Sequence, residues 1–271
     1  VMLRPEVAVP EGDTLRRLAQ RIDERFTGGT VERSVFRHPR LALLDLDGQV
    51  LVSADAVGKH LLLRFDSGHT LHVHLLMDGR VHLDGATGTE AWRRRFELCF
   101  GNGELVGVDI PRLHWIATRR EDVFTGDLGP DVCGRYDHDA ALARFAVQRG
   151  RPLAEVMLDQ RVVAGFGNVY AVETPFIVGL SPFAPGDEIG GLGELLGVGV
   201  ALIRANVALG TQNTTGRDLA RDDHHLLDRR IRHCGICGET VKRLAGTETP
   251  WRRNASAKDS ASVGLSVGMR T

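Results

Sequence analysis

The sequence predicts an α+β chain of two domains: an N-terminal β-sandwich with one helix in front of it, then a helical domain. Two changes of hydrophobic period predict this. Apolar residues recur at helical spacing from Asp13 to Phe26, alternate at every second position in runs between Gln49 and Ile110, and return to helical spacing after "TGDLGPDVCG". A chain of 271 residues has room for two domains of ordinary size.

The first helix sets Leu15, Leu18, Ile22 and Phe26 on one face, with Asp13 as its expected N-cap and Gly28–Gly29 as its stop. Leu61, Leu63 and Phe65 alternate in one run and Leu71, Val73 and Leu75 in the next, and "DSGH" between them signals a hairpin. "FELCFGNGELVGVDI" makes a second hairpin around Gly101-Asn102-Gly103. Alternation buries one face of each hairpin, which suits two packed sheets. The first domain is placed at 10–125, because the composition shifts over residues 122–136. Helices are expected over "DHDAALARFAVQ", "PLAEVMLDQ", "NVYAVETPFIV" and "LGELLGVGVALIRANVA", within a second domain at 135–233. Residues 234–271 open like a metal-bound β element and end in a Ser, Ala and Gly-rich tail whose composition favours disorder.

Hydrophobic residues make up 42% and charged residues 25%, as in ordinary globular proteins. No apolar run is read as membrane-spanning, and the start lacks the apolar core of a signal peptide. Four cysteines, Cys99, Cys133, Cys234 and Cys237, are too few for a secreted disulfide scaffold, so a cytoplasmic setting is expected. The net charge of −1 argues neither for nor against nucleic acid. Basic residues outnumber acidic ones from Arg229 onward, which is either a phosphate-facing end or a solvated surface.

Four features carry chemistry. Pro10 precedes the first helix, where proline is common for backbone reasons alone. Were it the first residue, its secondary amine would have a pKa near ~8, well below lysine. The positive end of the helix dipole would lower its proton affinity further. A partly neutral amine can attack an electrophilic carbon and form an iminium ion, and Glu11 beside it suits proton transfer. Lys59, in "GKHLL", is either a solvated strand-end lysine, or a cation for a phosphate, or a second amine near the reacting sugar. "GFGNVYAVE" is either an ordinary helical corner or a phosphate seat, with Asn168 placed to cap the following helix. Cys234 and Cys237 form half of a zinc-ribbon site.

Together, "PEGDTL", "GKHLL", "HLLMDGR", "LGPD", "LDQRVVAGFGNVYAVE", "LSP" and "CGIC" resemble the formamidopyrimidine-DNA glycosylase / endonuclease VIII family of base-excision repair enzymes, from Pro10 to about Gly238. The resemblance implies a two-domain clamp with a helix–two-turn–helix element and a C-terminal zinc-finger hairpin. Its partner is damaged DNA held in the cleft with the lesion flipped out; a monomer and no membrane are expected. It makes Pro10 the nucleophile on C1′, Glu11 the proton donor and Lys59 a further catalytic residue. It assigns DNA contacts to Asn168, Tyr170, Met77, Arg252 and Arg253, with Met77 filling the gap left by the flipped base. No cofactor is implied for the chemistry. The short segment between "TTG" and Cys234 looks like the actinobacterial endonuclease VIII branch, which implies oxidised pyrimidines as substrates.

Two departures qualify the resemblance. No cysteine follows Cys237, so the zinc finger is degenerate and a bound structural zinc is not expected. Residues 1–9 stand before Pro10 and would make its nitrogen an amide. Initiation at Val9, followed by removal of the initiator, would expose Pro10; residues 1–9 are then an upstream extension. The alternative is a non-catalytic damaged-DNA-binding protein of the same fold.

Overall fold

The computed structural model describes residues 10–185, 190–226, 242–243 and 250–251. Helix α1 (Gly12–Phe26) sends Leu15, Ala19, Ile22 and Phe26 from one face into a core shared with two sheets. Leu15, Ile22 and Phe26 each contribute roughly 1.5–3 kcal/mol by leaving water, and Ala19 less. The helix ends at Thr27 in extended backbone, and Gly28 turns the chain with φ +83°. Asp13 is not its N-cap. Glu11 holds that position, and Asp13 is buried in the first turn.

Eight strands follow: β1 (Val31–Phe36), β2 (Leu51–Val57), β3 (His60–Phe65), β4 (His69–His74), β5 (Arg80–His82), β6 (Arg94–Phe100), β7 (Gly103–Val108) and β8 (Arg112–Ala117). They form two antiparallel sheets, ordered β1-β6-β7-β5 and β2-β3-β4-β8. Both expected hairpins are present, with Leu63 opposite Leu71 and Phe100 opposite Gly103. Leu61, Leu63, Leu71 and Val73 of one sheet share a core with Phe96, Leu98 and Leu105 of the other. This is the expected sandwich. His72, next along β4, points away from that core and stacks on Phe124 of the short helix α2 (Asp122–Thr125), with ring centroids 3.9 Å apart.

Helices α3 (His138–Ala146), α4 (Leu153–Leu158), α5 (Asn168–Ile177) and α6 (Leu192–Leu209) enclose a second core built on Phe145, Met157, Phe166, Tyr170, Leu196 and Ile203. Asp137 caps α3 by accepting the Ala140 N–H at 2.9 Å. The expectation that no segment reaches membrane-spanning length was too strict, because α6 is long and apolar enough by composition. Here it lies against α1, α3 and α5. Helix α1 touches β2 on one side and α6 on the other, where Arg17 donates to the Asn206 carbonyl at 3.2 Å. Strands β9 (Lys242–Arg243) and β10 (Pro250–Trp251) pair antiparallel. Residues 1–9, Cys234, Cys237, Arg252, Arg253 and the tail lie outside the described residues.

Candidate active site

Pro10, Lys59, Met77 and Asn168 come from four separate stretches and line one cleft of about 190 Å³. Pro10 stands before α1. Lys59 follows Gly58 in the β2–β3 turn, where φ is +55°. Asn168 is the first residue of α5. Met77 follows Leu76, a non-glycine residue held at φ +51° in the turn after β4, and a Gly79 N–H to Leu75 carbonyl bond of 2.9 Å closes that turn. Such a backbone costs roughly 1–2 kcal/mol. It leaves Leu76 37% and Met77 55% exposed, so Met77 is not a buried hairpin residue.

His74, Leu75, Leu76 and Leu158 complete the wall and were not anticipated. His74 carried a signal, standing in the same "HLLMDGR" motif as Met77. Leu75 and Leu76 stand in that motif too, whereas Leu158 carried no signal, because a leucine lining a cleft reads like a leucine in a core. Burial, reinforced by His60, Arg112 and Lys59, pushes His74 down to about 4, so the ring is neutral at pH 7.

Glu11 is fully buried. Its carboxylate accepts the Gly167 N–H at 3.0 Å and the Val169 N–H at 2.8 Å, two donors at the start of α5. A side chain from the other end of the chain therefore caps α5. That corrects the expectation for Asn168: Gly167 holds the cap position without a side-chain bond, and Asn168 is free to face the cleft. The glycines flanking this contact are required by proximity. A Cβ on Gly167 would lie 2.4 Å from Glu11 Cδ, and one on Gly12 would lie 2.9 Å from the Gly165 backbone. Burial raises the Glu11 pKa to about 7; Lys59 opposes the rise, Asp13 adds to it, and the Val169 and Gly167 N–H bonds also oppose it. An acid near 7 can give or hold a proton at neutral pH. Burial lowers the Lys59 pKa, against the pull of Glu11 and Asp13, which favours a neutral amine more than in water.

The Tyr170 side chain, expected to contact DNA, lies in the interior and not on the cleft wall. It is fully buried, its hydroxyl donates to Asp13 at 3.2 Å, and it accepts from Asn206 Nδ2 at 2.8 Å. Helical spacing explains the correction: Asn168 and Tyr170 lie about 200° apart around α5, so they leave opposite sides of it. Gln160 was also missed. It grips the glycine-rich loop from within, accepting the Gly165 N–H and donating to the Phe166 carbonyl, both at 2.9 Å.

A probable endonuclease 8 2 from Streptomyces coelicolor is 36% identical over 241 residues, covering 86% of this chain and 87% of that protein. The family model for the formamidopyrimidine-DNA glycosylase N-terminal domain matches residues 9–115. The chain belongs to the formamidopyrimidine-DNA glycosylase / endonuclease VIII family. A second family member, the DNA-(apurinic or apyrimidinic site) lyase Nei2 of Mycolicibacterium smegmatis, is 36% identical over 178 residues, 65% of this chain and 70% of its own. The crystal structure of Lactococcus lactis formamidopyrimidine-DNA glycosylase on DNA containing an abasic site has a TM-score of 0.75 at 18% identity. It covers 89% of this chain and 97% of its own, and shows the family's fold.

Proposed function

We infer that the protein is a bifunctional DNA glycosylase and abasic-site lyase of base-excision repair, acting on oxidised pyrimidines. The observation that carries the reading is the convergence of Pro10, Lys59, Met77 and Asn168 on one cleft, with Glu11 buried next to Pro10. The α-amine of Pro10, as first residue of the working chain, attacks C1′ of the damaged nucleotide while Glu11 supplies a proton to the sugar. The base leaves, and the iminium formed acidifies the C2′ proton, so elimination expels the 3′ and then the 5′ phosphate. Met77 replaces the flipped base in the stack. Lys59 and Asn168 hold phosphates around the lesion. Residues 10–125 and 135–233 serve as the two domains of the clamp, acting as a cytoplasmic monomer.

Substrate choice is tested with duplexes carrying an oxidised pyrimidine, an oxidised guanine or no lesion. The pyrimidine is expected to be excised roughly tenfold faster than the guanine, a factor set by pocket contacts. A guanine preference would overturn the branch assignment. Binding without excision of any base would favour a non-catalytic damaged-DNA binder.

Lys59→Ala is expected to weaken binding to all sequences alike. Measured against salt, its affinity should show a slope reduced by about one phosphate contact. An unchanged slope would return Lys59 to the solvated reading.

The family's structural zinc does not fit this chain. Zinc in structural sites takes four ligands, and Cys234 and Cys237 supply two, with no cysteine or histidine after them. His233 adjoins Cys234 and cannot close the site from a second strand. Metal analysis of the purified protein is expected to find well under one zinc per chain. A stoichiometric, tightly held zinc would overturn this.

A further inference from the structure

We propose that Asp13 and Tyr170 are positioning residues for the excision reaction: the Asp13 carboxylate, oriented by the Tyr170 hydroxyl, keeps the proton on Glu11. This rests on the reading of Glu11 as the acid. Both carboxyls are fully buried at the start of α1, and both are held by the first turn of α5. The Val169 N–H holds Glu11, and the Tyr170 side chain, one residue on, holds Asp13. The direction of the Tyr170 hydroxyl is fixed. Its oxygen accepts from Asn206 of α6, which turns its proton toward Asp13. Gln212, after α6, presents its amide N–H₂ to the two Asp13 oxygens at 3.4 and 3.5 Å. The Tyr170 and Gln212 contacts to Asp13 both donate, which suits an ionised, acceptor-only carboxylate.

Charge balance points the same way. The groups facing Glu11 are Lys59 from the β2–β3 turn, Asp13 and the two α5 N–H groups. Those facing Asp13 are Arg17 on its own helix, Thr14, Tyr170 and Gln212. Lys59 and the Cys133 thiol also sense Asp13, and burial keeps that thiol neutral. Arg17 favours ionisation at Asp13 and does not act on Glu11 to the same extent. Burial raises the proton affinity of both carboxyls, but Arg17 and the Tyr170 and Gln212 donors favour the ionised form at Asp13, whereas Lys59, itself made less basic by burial, is the cation that faces Glu11, so the proton stays on Glu11. Two like charges in one dry site separate their proton affinities in this way.

The test is ¹³C NMR of the full chain with carboxyl-labelled glutamate, the Glu11 resonance being assigned by its loss in Glu11→Gln. Asp13→Asn is expected to lower the Glu11 titration midpoint by about one pH unit. Tyr170→Phe, which keeps the ring in the core and removes only the hydroxyl, should lower it by less. A folded Asp13→Asn protein with an unmoved midpoint would overturn the proposal and leave Asp13 a structural residue. Should Asp13→Asn not fold, Tyr170→Phe decides by the same criterion. The readout is independent of turnover. If Glu11→Gln excises bases at the parent rate, the assignment of the acid fails, while the coupling is still judged by the midpoints.

Discussion

A form of the protein that begins at Pro10 is expected to form a borohydride-reducible covalent adduct with DNA carrying an oxidised pyrimidine, and a form that keeps residues 1–9 is not. The difference lies in one lone pair. An amide nitrogen shares its lone pair with the neighbouring carbonyl and has no nucleophilic character, whereas a terminal secondary amine near pKa ~8 is partly neutral at pH 7. Pro10 already lines the cleft, so its position is suitable and its bonding decides. Trapping should differ by roughly a thousandfold or more, the scale of losing a covalent nucleophile. Equal trapping by both forms would remove Pro10 from the mechanism and pass the attack to Lys59, whose amine lies in the same cleft and is made less basic by burial.

Glu11→Gln should abolish base excision, by a factor of roughly a hundred to ten thousand, while retaining part of the cleavage at a pre-formed abasic site. The carboxyl matters most where a stable glycosidic bond must break, and an abasic sugar has none. Excision at the parent rate would show the acid to be another group. The same variant carries a stability signature. Glu11 has a folded pKa of about 7, above the ordinary carboxyl value of 4.5, so the folded state binds its proton more tightly than the unfolded one. Its contribution is therefore fully present below pH 4.5 and is lost as the pH rises to about 7, an effect on the order of 3 kcal/mol. Denaturant titrations of Glu11→Gln are expected to depend less on pH across that window.

The sheets were legible because a period of two is written locally. Leu61, Leu63, Leu71 and Val73 alternate in the chain as they do in space, and "DSGH" and "GNG" reverse it where turn residues allow. The order β1-β6-β7-β5 was not legible, since nothing near Val31–Phe36 names Arg94–Phe100 as its partner. Both N-caps assigned from local pattern, Asp13 and Asn168, failed because partners distant in the chain decide: Asp13 lies inside α1 and accepts from Tyr170 and Gln212. The acceptor that caps α5 is Glu11, which reaches it only through the tertiary fold. Residue types in the quoted motifs located the cleft, yet motif membership did not say which side of α5 a residue leaves. Asn168 faces the cleft and Tyr170 the interior.

The bond from Glu11 to the Val169 N–H spans 158 positions of the chain. Synthesis runs from the N-terminus, so α1 leaves the ribosome long before the donors that bury and tune its carboxyl. Until residue 169 has emerged, Glu11 is an ordinary solvated carboxylate beside a proline, with neither a raised pKa nor a cleft in front of it. The raised proton affinity of Glu11 thus arises only after well over half of the chain has been made, and a truncated chain ending before α5 carries Glu11 without the donors and the burial that tune it.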